Sequence, residues 1–319
     1  MEVLMACPAN VATGGVESIH KFAYELNKIE KMEVKIWYWG AGVKKPQPIE
    51  YSEYGIDYIT KLPGGYKGAI IFPEIWANSV VDERFKDCKK MIHWLGVDAY
   101  YWNNPVNTHG LFLQQKDVIH LSQSQYATNH LLEKGVDKKN ILHISDVPNA
   151  LYYEVYEETP RDNVILYNPA KMTDFQQALM CRARDDYGLT FKPLANFTRE
   201  QMADVMRHAK LYIDFGVWPG RERIPREAAL SGCCVITSKL GCAQYYEDVA
   251  LDDKWKFDTE PNNIPVIIET MKYILQNYDA CKHEFASYRQ SVIADRDNLH
   301  KDCETIAMTL LDANKSEKK

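Results

Sequence analysis

The stretch 220-GRERIPREAALSGCCVITSKLG-241 follows one apolar run, 211-LYIDF-215, and contains the next, 234-CVIT-237. Gly216, Pro219 and Gly220 turn the chain between them, and Pro225 precedes a short run of helix formers that ends at Gly232. Proline suits the first turn of a helix and glycine its end, so a helix starting near Pro225 and stopping at Gly232 is expected. Strand, turn, helix, strand is the repeating unit of a parallel sheet. The amino end of such a helix carries unpaired N–H groups and the positive end of the macrodipole, which together favour an anion. Arg221, Arg223 and Arg226 add guanidinium forks that match phosphate oxygens, so the segment reads as a diphosphate site. The competing reading is a solvated loop whose arginines pair with Glu222 and neighbouring acids. Glu227 is equally two-sided: the dipole alone favours an acid there, and a carboxylate there can also accept both hydroxyls of a ribose.

The same alternation extends in both directions. Towards the amino terminus lie 3-VLMAC-7, 34-VKIWY-38, 69-AIIF-72, 91-MIHWL-95, 118-VIHLS-122 and 141-ILHI-144, then 164-VILYN-168 and 190-TFKPL-194. Ile19, Phe22, Ala23 and Leu26 recur at helical spacing between the first two, and helical segments are expected at about 173 to 184 and 199 to 209. After Asp258 the chain reads as helix to its end. Strands alternating with helices predict parallel sheets covered on both faces. With 319 residues, two domains are expected. These are 1–150, a linker at 151–163 that is acidic and bounded by proline, 164–290, and a C-terminal helix and tail at 291–319.

Composition narrows the function classes. A net charge of −6 argues against a broad basic surface for nucleic acid. No apolar run approaches the roughly 20 residues of a membrane span, and MEVLMACPAN lacks the basic start and apolar core of a secretion signal. A cytoplasmic protein is expected, and its eight cysteines, which form no CxxC pair, read as reduced core thiols.

Three further segments carry candidate chemistry. In 8-PANVATGGVESIH-20, Gly14 and Gly15 permit close backbone approach to a ligand, though the spacing is not that of a dinucleotide fingerprint and a plain tight turn is the alternative. Lys171, in 167-YNPAKM-172, follows a strand and is placed to meet a phosphate, or is an ordinary exposed lysine. In 91-MIHWLGVDAYYWNN-104 a strand bearing His93 enters a loop with Asp98 and the aromatics Trp94, Tyr100, Tyr101 and Trp102. That cluster suits stacking on a sugar ring and equally suits a core. The pair in 295-DRD-297 lies in helical sequence with no strand before it and reads as a solvated helix face.

These segments, in this order, resemble the GT-B glycosyltransferases, specifically the retaining, nucleotide-sugar-dependent enzymes of glycosyltransferase family 4. The residues that carry the likeness are 14-GGVE-17, the stretch 121-LSQSQYATNHLLEKGVDKKNILHISDVPNA-150, Lys171, and 227-EAALSGCCVITSKLG-241. The resemblance implies an α/β protein with two Rossmann-like domains facing a central cleft and a C-terminal helix crossing back onto the first. It implies transfer of a hexosyl or related sugar from a nucleoside-diphosphate sugar to a hydroxyl acceptor, with retention and without a metal or other cofactor. Glu227 would hold the ribose. Lys171 with Arg221, Arg223 or Arg226 would hold the diphosphate, Gly14 and Gly15 would line the donor site, and Lys171, Arg226 and His93 would act in catalysis. Trp94, Asp98, Tyr100 and Trp102 would meet the acceptor.

The chain departs from that family at three places. Pro219 stands where a second glutamate is usual, Leu166 where an arginine is usual, and Cys234 where a proline is usual. The arginines of 220–227 would replace the missing one. The acceptor is expected to be a glycan or small molecule. A modified DNA base, and a non-catalytic nucleotide-sugar-binding protein, are the alternatives.

Overall fold

The structure, a computed structural model, describes residues 1–39, 45–103, 113, 115–154 and 159–316. The chain divides into two compact units, Met1–Val147 together with Asp295–Lys319, and Pro148–Ala294.

The first unit contains β1 (Glu2–Pro8), α1 (Gly14–Leu26), β2 (Glu33–Trp39), β3 (Tyr58–Ile59), β4 (Ala69–Pro73), β5 (Lys89–Trp94), α2 (Val97–Asn103), β6 (Val118–Ser122), α3 (Gln125–Glu133) and β7 (Ile141–His143). The strands form one parallel sheet in the order β3-β2-β1-β4-β5-β6-β7. Both faces are covered, which is why β1 and β4 read as continuous apolar runs. The period of two splits β1 between two cores. Val3, Met5 and Cys7 join Ile19, Phe22, Ala23 and Leu26 of α1, while Leu4 and Ala6 join Ile70, Phe72, Ile92 and Trp94.

The second unit contains β8 (Asp162–Tyr167), α4 (Asp174–Tyr187), β9 (Thr190–Pro193), α5 (Arg199–Arg207), β10 (Ala209–Asp214), α6 (Arg223–Leu230), β11 (Cys234–Ser238), β12 (Lys256–Phe257), α7 (Ile264–Gln276), α8 (Tyr278–Cys281) and the start of α9 (Ala286–Ser316). Its sheet is also parallel, in the order β12-β11-β10-β8-β9. The last part of α9 returns to the first unit, where Leu299, Cys303, Ile306, Ala307 and Leu310 share a core with β1 and α1.

Each sheet has one place where its strand order reverses. In the first, β1 has β2 on one side and β4 on the other; in the second, β8 lies between β9 and β10. In open parallel sheets a crevice forms beyond the carboxyl ends of the strands at such a point.

Several expectations are adjusted. β3 and β12 span two residues each and escape any periodicity. Residues 97–103 form α2 rather than a loop. The helix expected near Pro225 starts at Arg223, with proline still in the first turn, where a missing N–H costs no helical bond. Asp295 is buried, not solvated, within α9. Part of the expected linker, residues 155–158, lies outside the described residues. All eight cysteines are free thiols and all but Cys181 are buried. Among the described residues no helix is long and apolar enough to cross a membrane.

Candidate functional site

The reversal point of the second sheet gathers the charged residues. β8 ends at Tyr167, and Asn168 caps the tight helical turn Pro169–Lys171 by accepting the Ala170 N–H at 3.0 Å. Lys171 is thereby set above the strand end. β10 ends at Asp214, whose carboxylate accepts the Tyr212 hydroxyl and the Gly216 N–H, each at 3.0 Å. Burial raises the Asp214 pKa, opposed by the Gly216 amide and by Lys171.

The loop from Gly216 to Glu222 is braced on both sides. A Cβ at Gly216 would stand 3.1 Å from Asp214 Oδ1 and 3.4 Å from the Lys171 carbonyl, so the two strand ends meet there. Gln176 of α4 accepts the Phe215 N–H at 2.9 Å, and Ser238 donates its hydroxyl to the Gly216 carbonyl at 2.8 Å. The Trp218 carbonyl accepts the Cys242 N–H at 2.8 Å.

Glu222 then begins α6. Its carboxylate makes no bond to the helix's own amides and instead forms an ion pair with Lys171. Burial raises its pKa, opposed first by Lys171. Arg226 is buried, donating through Nη2 to the Arg221 carbonyl at 2.8 Å and through Nε to the Glu222 carbonyl at 3.1 Å. Its guanidinium therefore shapes the loop that leads into the helix. Glu227 and Arg221 are buried too, and Arg223 is partly exposed at the first position of α6. Gly232, at φ +91°, ends the segment as the sequence suggests. Lys171 and Glu222 thus form an ion pair, and the Arg226 guanidinium ties the backbone carbonyls of Arg221 and Glu222, with Glu227 on the next residue of α6.

The reversal point of the first sheet is built differently. Thr13 caps α1, Gly14 opens it, and a Cβ on Gly15 would lie 3.4 Å from Leu95 Cδ1, which brings the β1–α1 turn beside the end of β5. Glu74, immediately after β4, is buried and accepts the Leu95 N–H at 3.1 Å. Burial pushes its carboxyl up to about 8.

His93 is buried, 3.0 Å from the Gln123 amide nitrogen and edge-on to Phe22, and burial lowers it to about 4. A neutral ring accepting from Gln123 fits both facts. Gln123 also donates to Ser18 of α1 at 2.9 Å. Trp94 is buried and donates to His120 at 3.1 Å, with Tyr100 packed beside it. Asp98 is partly exposed on α2, and the side chain of Trp102 lies outside the described residues.

Two acids were not singled out from sequence. Asp214 has a signal, since it closes an otherwise apolar strand. Glu74 has a weaker one, an acid between apolar neighbours in 72-FPEIW-76.

No protein-family model matches the chain, and no curated protein matches it in sequence. Solved structures do match in three dimensions. A glycosyltransferase from Rickettsia africae superposes with a TM-score of 0.71 at 15% identity, over 97% of this chain and 98% of that one. HepE from Anabaena, in complex with UDP and glucose, gives 0.67 at 13% identity over 98% and 100%. The chain has the GT-B fold. A UDP-GlcNAc 2-epimerase from Neisseria meningitidis, bound to UDP-GlcNAc, also matches, at 0.61 and 10% identity over 98% and 100%. The GT-B fold therefore serves both sugar transfer and sugar epimerisation, and the chemistry has to be argued from the side chains.

Proposed function

We propose that this chain transfers a sugar from a nucleoside-diphosphate sugar to a hydroxyl acceptor, with the donor held by the second unit. The observation that carries the reading is the meeting of Lys171 with the 216–227 loop and the start of α6 at a sheet reversal point. A helix amino end, an ammonium and a cluster of guanidinium groups there match a diphosphate in charge and in donor geometry. Glu227, on the same helix, supplies the carboxylate for the ribose hydroxyls.

In the reaction the bond from the anomeric carbon to the diphosphate breaks, and negative charge accumulates on the leaving phosphate. Lys171 and the loop arginines are preorganised to offset that charge, so no metal is required. The acceptor oxygen bonds to the anomeric carbon and its proton passes to the departing diphosphate oxygen. Retention of configuration and a glycan acceptor follow the family that the sequence resembles.

The fold neighbour that is an epimerase supports a second reading, in which the bound nucleotide sugar is altered rather than transferred.

Thermal unfolding against UDP, GDP, ADP and dTDP and their sugar conjugates tests the binding step, because a ligand of the folded state raises the midpoint by mass action. One nucleotide is expected to raise it, with Lys171→Ala and Glu227→Ala each weakening the shift, the first by about tenfold in affinity. Product analysis of the bound conjugate then separates transfer, which frees the nucleoside diphosphate, from epimerisation, which does not. Binding without either product would leave a nucleotide-sugar-binding protein.

A further inference from the structure

The Lys171 ammonium, placed to receive a phosphate, is already occupied by a carboxylate. Glu222 stands at the cap position of α6, where a short Ser, Thr, Asp or Asn side chain accepts from the helix's first amides. Here it makes no such bond and reaches Lys171 instead. Both groups keep access to solvent, with 32% of the Lys171 side chain and 18% of the Glu222 side chain exposed, so the pair can open without unfolding its surroundings.

The charges around Glu222 come from three elements. Lys171 follows β8, Asp214 ends β10, and Arg226 lies on α6 with its Nε bonded to the Glu222 carbonyl. Arg226 holds the backbone of Glu222 in place, and the side chain reaches Lys171. A phosphate approaching Lys171 would meet a like charge within hydrogen-bond distance of the same ammonium, and two anions cannot both occupy it without repulsion.

We propose that Glu222 is an internal competitor for the donor diphosphate: its carboxylate holds Lys171 when the site is empty and is displaced when a diphosphate binds. This rests on the reading of the second unit as a donor site. A competitor built into the fold lowers apparent affinity by the fraction of molecules in which the pair is open. It raises the threshold for weakly held anions such as inorganic phosphate, while a nucleoside diphosphate, anchored also through its base and ribose, overcomes it. The residue thus keeps weakly held anions from filling the site at low concentration, lowering both affinities by the same factor and leaving their ratio unchanged.

The test is calorimetric titration of the wild type, Glu222→Gln, Lys171→Ala and the double variant. The probes are inorganic phosphate and whichever of UDP, GDP, ADP and dTDP the wild type binds. A diphosphate without its sugar is used so that any contact of Glu222 with the sugar plays no part. Glu222→Gln is expected to bind the nucleotide roughly three- to tenfold more tightly, the size of a partly exposed ion pair. The gain should vanish in the Lys171→Ala background, and inorganic phosphate binding should strengthen as well. A purely structural Glu222 would give unchanged or weaker binding that does not depend on Lys171, and that result overturns the proposal.

A wild-type crystal grown with the nucleotide answers the same question without a substitution, even should the variant fail to fold. Displacement puts the carboxylate out of reach of Lys171, and an intact pair beside a bound diphosphate refutes the idea. Failure of the wild type to bind any of the four nucleotides removes the donor-site reading itself, and is thereby distinct from binding with no gain in the variant.

Discussion

Glu74 and His93 are both buried in the first unit, and both are held in their uncharged forms. Burial takes Glu74 from its ordinary 4.5 up to about 8, and takes His93 and His120 from 6.5 down to about 4. A carboxyl raised on folding contributes stability that is complete below 4.5 and is lost as pH climbs through 8. A histidine lowered on folding contributes stability that is complete above 6.5 and is lost as pH falls through 4. Between 4.5 and 6.5 the two histidines outweigh the one acid, so from these groups the first unit is most stable near pH 6.5. Above that only Glu74 acts, and the part of its shift between pH 6.5 and its folded value of about 8 corresponds to about 2 kcal/mol. Glu74→Gln keeps the acceptor for the Leu95 N–H and removes the ionisation. Thermal unfolding at pH 6.5 and 8.5 should therefore show a fall in the wild type that is absent in the variant; parallel falls would mean that Glu74 is already ionised at neutral pH. Lys171 and the loop arginines were legible as candidates because strand ends and helix starts can be found from local sequence. The demand on Glu74 was not, since it depends on Leu95, 21 residues further on, and His93 reads alike as acceptor group and core residue because its neighbours Gln123 and Phe22 are far from it in sequence.

At the scale of elements, the position of the charged loop depends on how β11 hands over to the turn after it. Gly241 has φ +60°, and a Cβ there would fall 2.0 Å from the Trp218 carbonyl oxygen, backbone against backbone. Neither partner can yield without moving the loop that ends at Glu222. Gly188 offers a control, with φ +66° and nothing within 4 Å of its Cβ. Gly188→Ala should cost only the left-handed strain of about 1 kcal/mol. Gly241→Ala should cost about 3 kcal/mol or more and abolish the nucleotide shift at temperatures where the protein is still folded. Denaturant midpoints for both variants, with and without nucleotide, read the comparison, and equal losses would show that the brace is not tight. The long strands were visible in sequence because burial on both faces leaves unbroken apolar runs. β3 and β12 were not, because two residues carry no period. α2 was obscured by its aromatic content, which reads as readily as a sugar-stacking loop.

At the scale of the whole molecule, the first unit is not contiguous in sequence. Its core is completed by residues from Asp295 onward, about 150 positions beyond the end of its amino-terminal part at Val147. Leu299, Cys303, Ile306, Ala307 and Leu310 recur at four- and three-residue steps along one stripe of α9 and are all buried against the β1 and α1 core. The three large aliphatic side chains alone contribute on the order of 6 kcal/mol by burial. That is comparable to the entire stability of an ordinary domain, about 5 to 15 kcal/mol. A chain ending at Ala294 should therefore lose hydrogen-exchange protection in β1, β2 and β4 while keeping it in β8, β10 and β11, whose unit is complete from Pro148 to Ala294. Equal protection of both sheets would mean that α9 is dispensable to the first core. The same truncated chain bears on function, because Lys171, Glu222, Arg226 and Glu227 all lie within the second unit. If the donor nucleotide is held by that unit alone, the truncated chain should bind it with affinity within about threefold of the full chain while forming no product. Loss of nucleotide binding together with the first sheet, with the second sheet still protected, would show that the first unit supplies part of the donor's affinity.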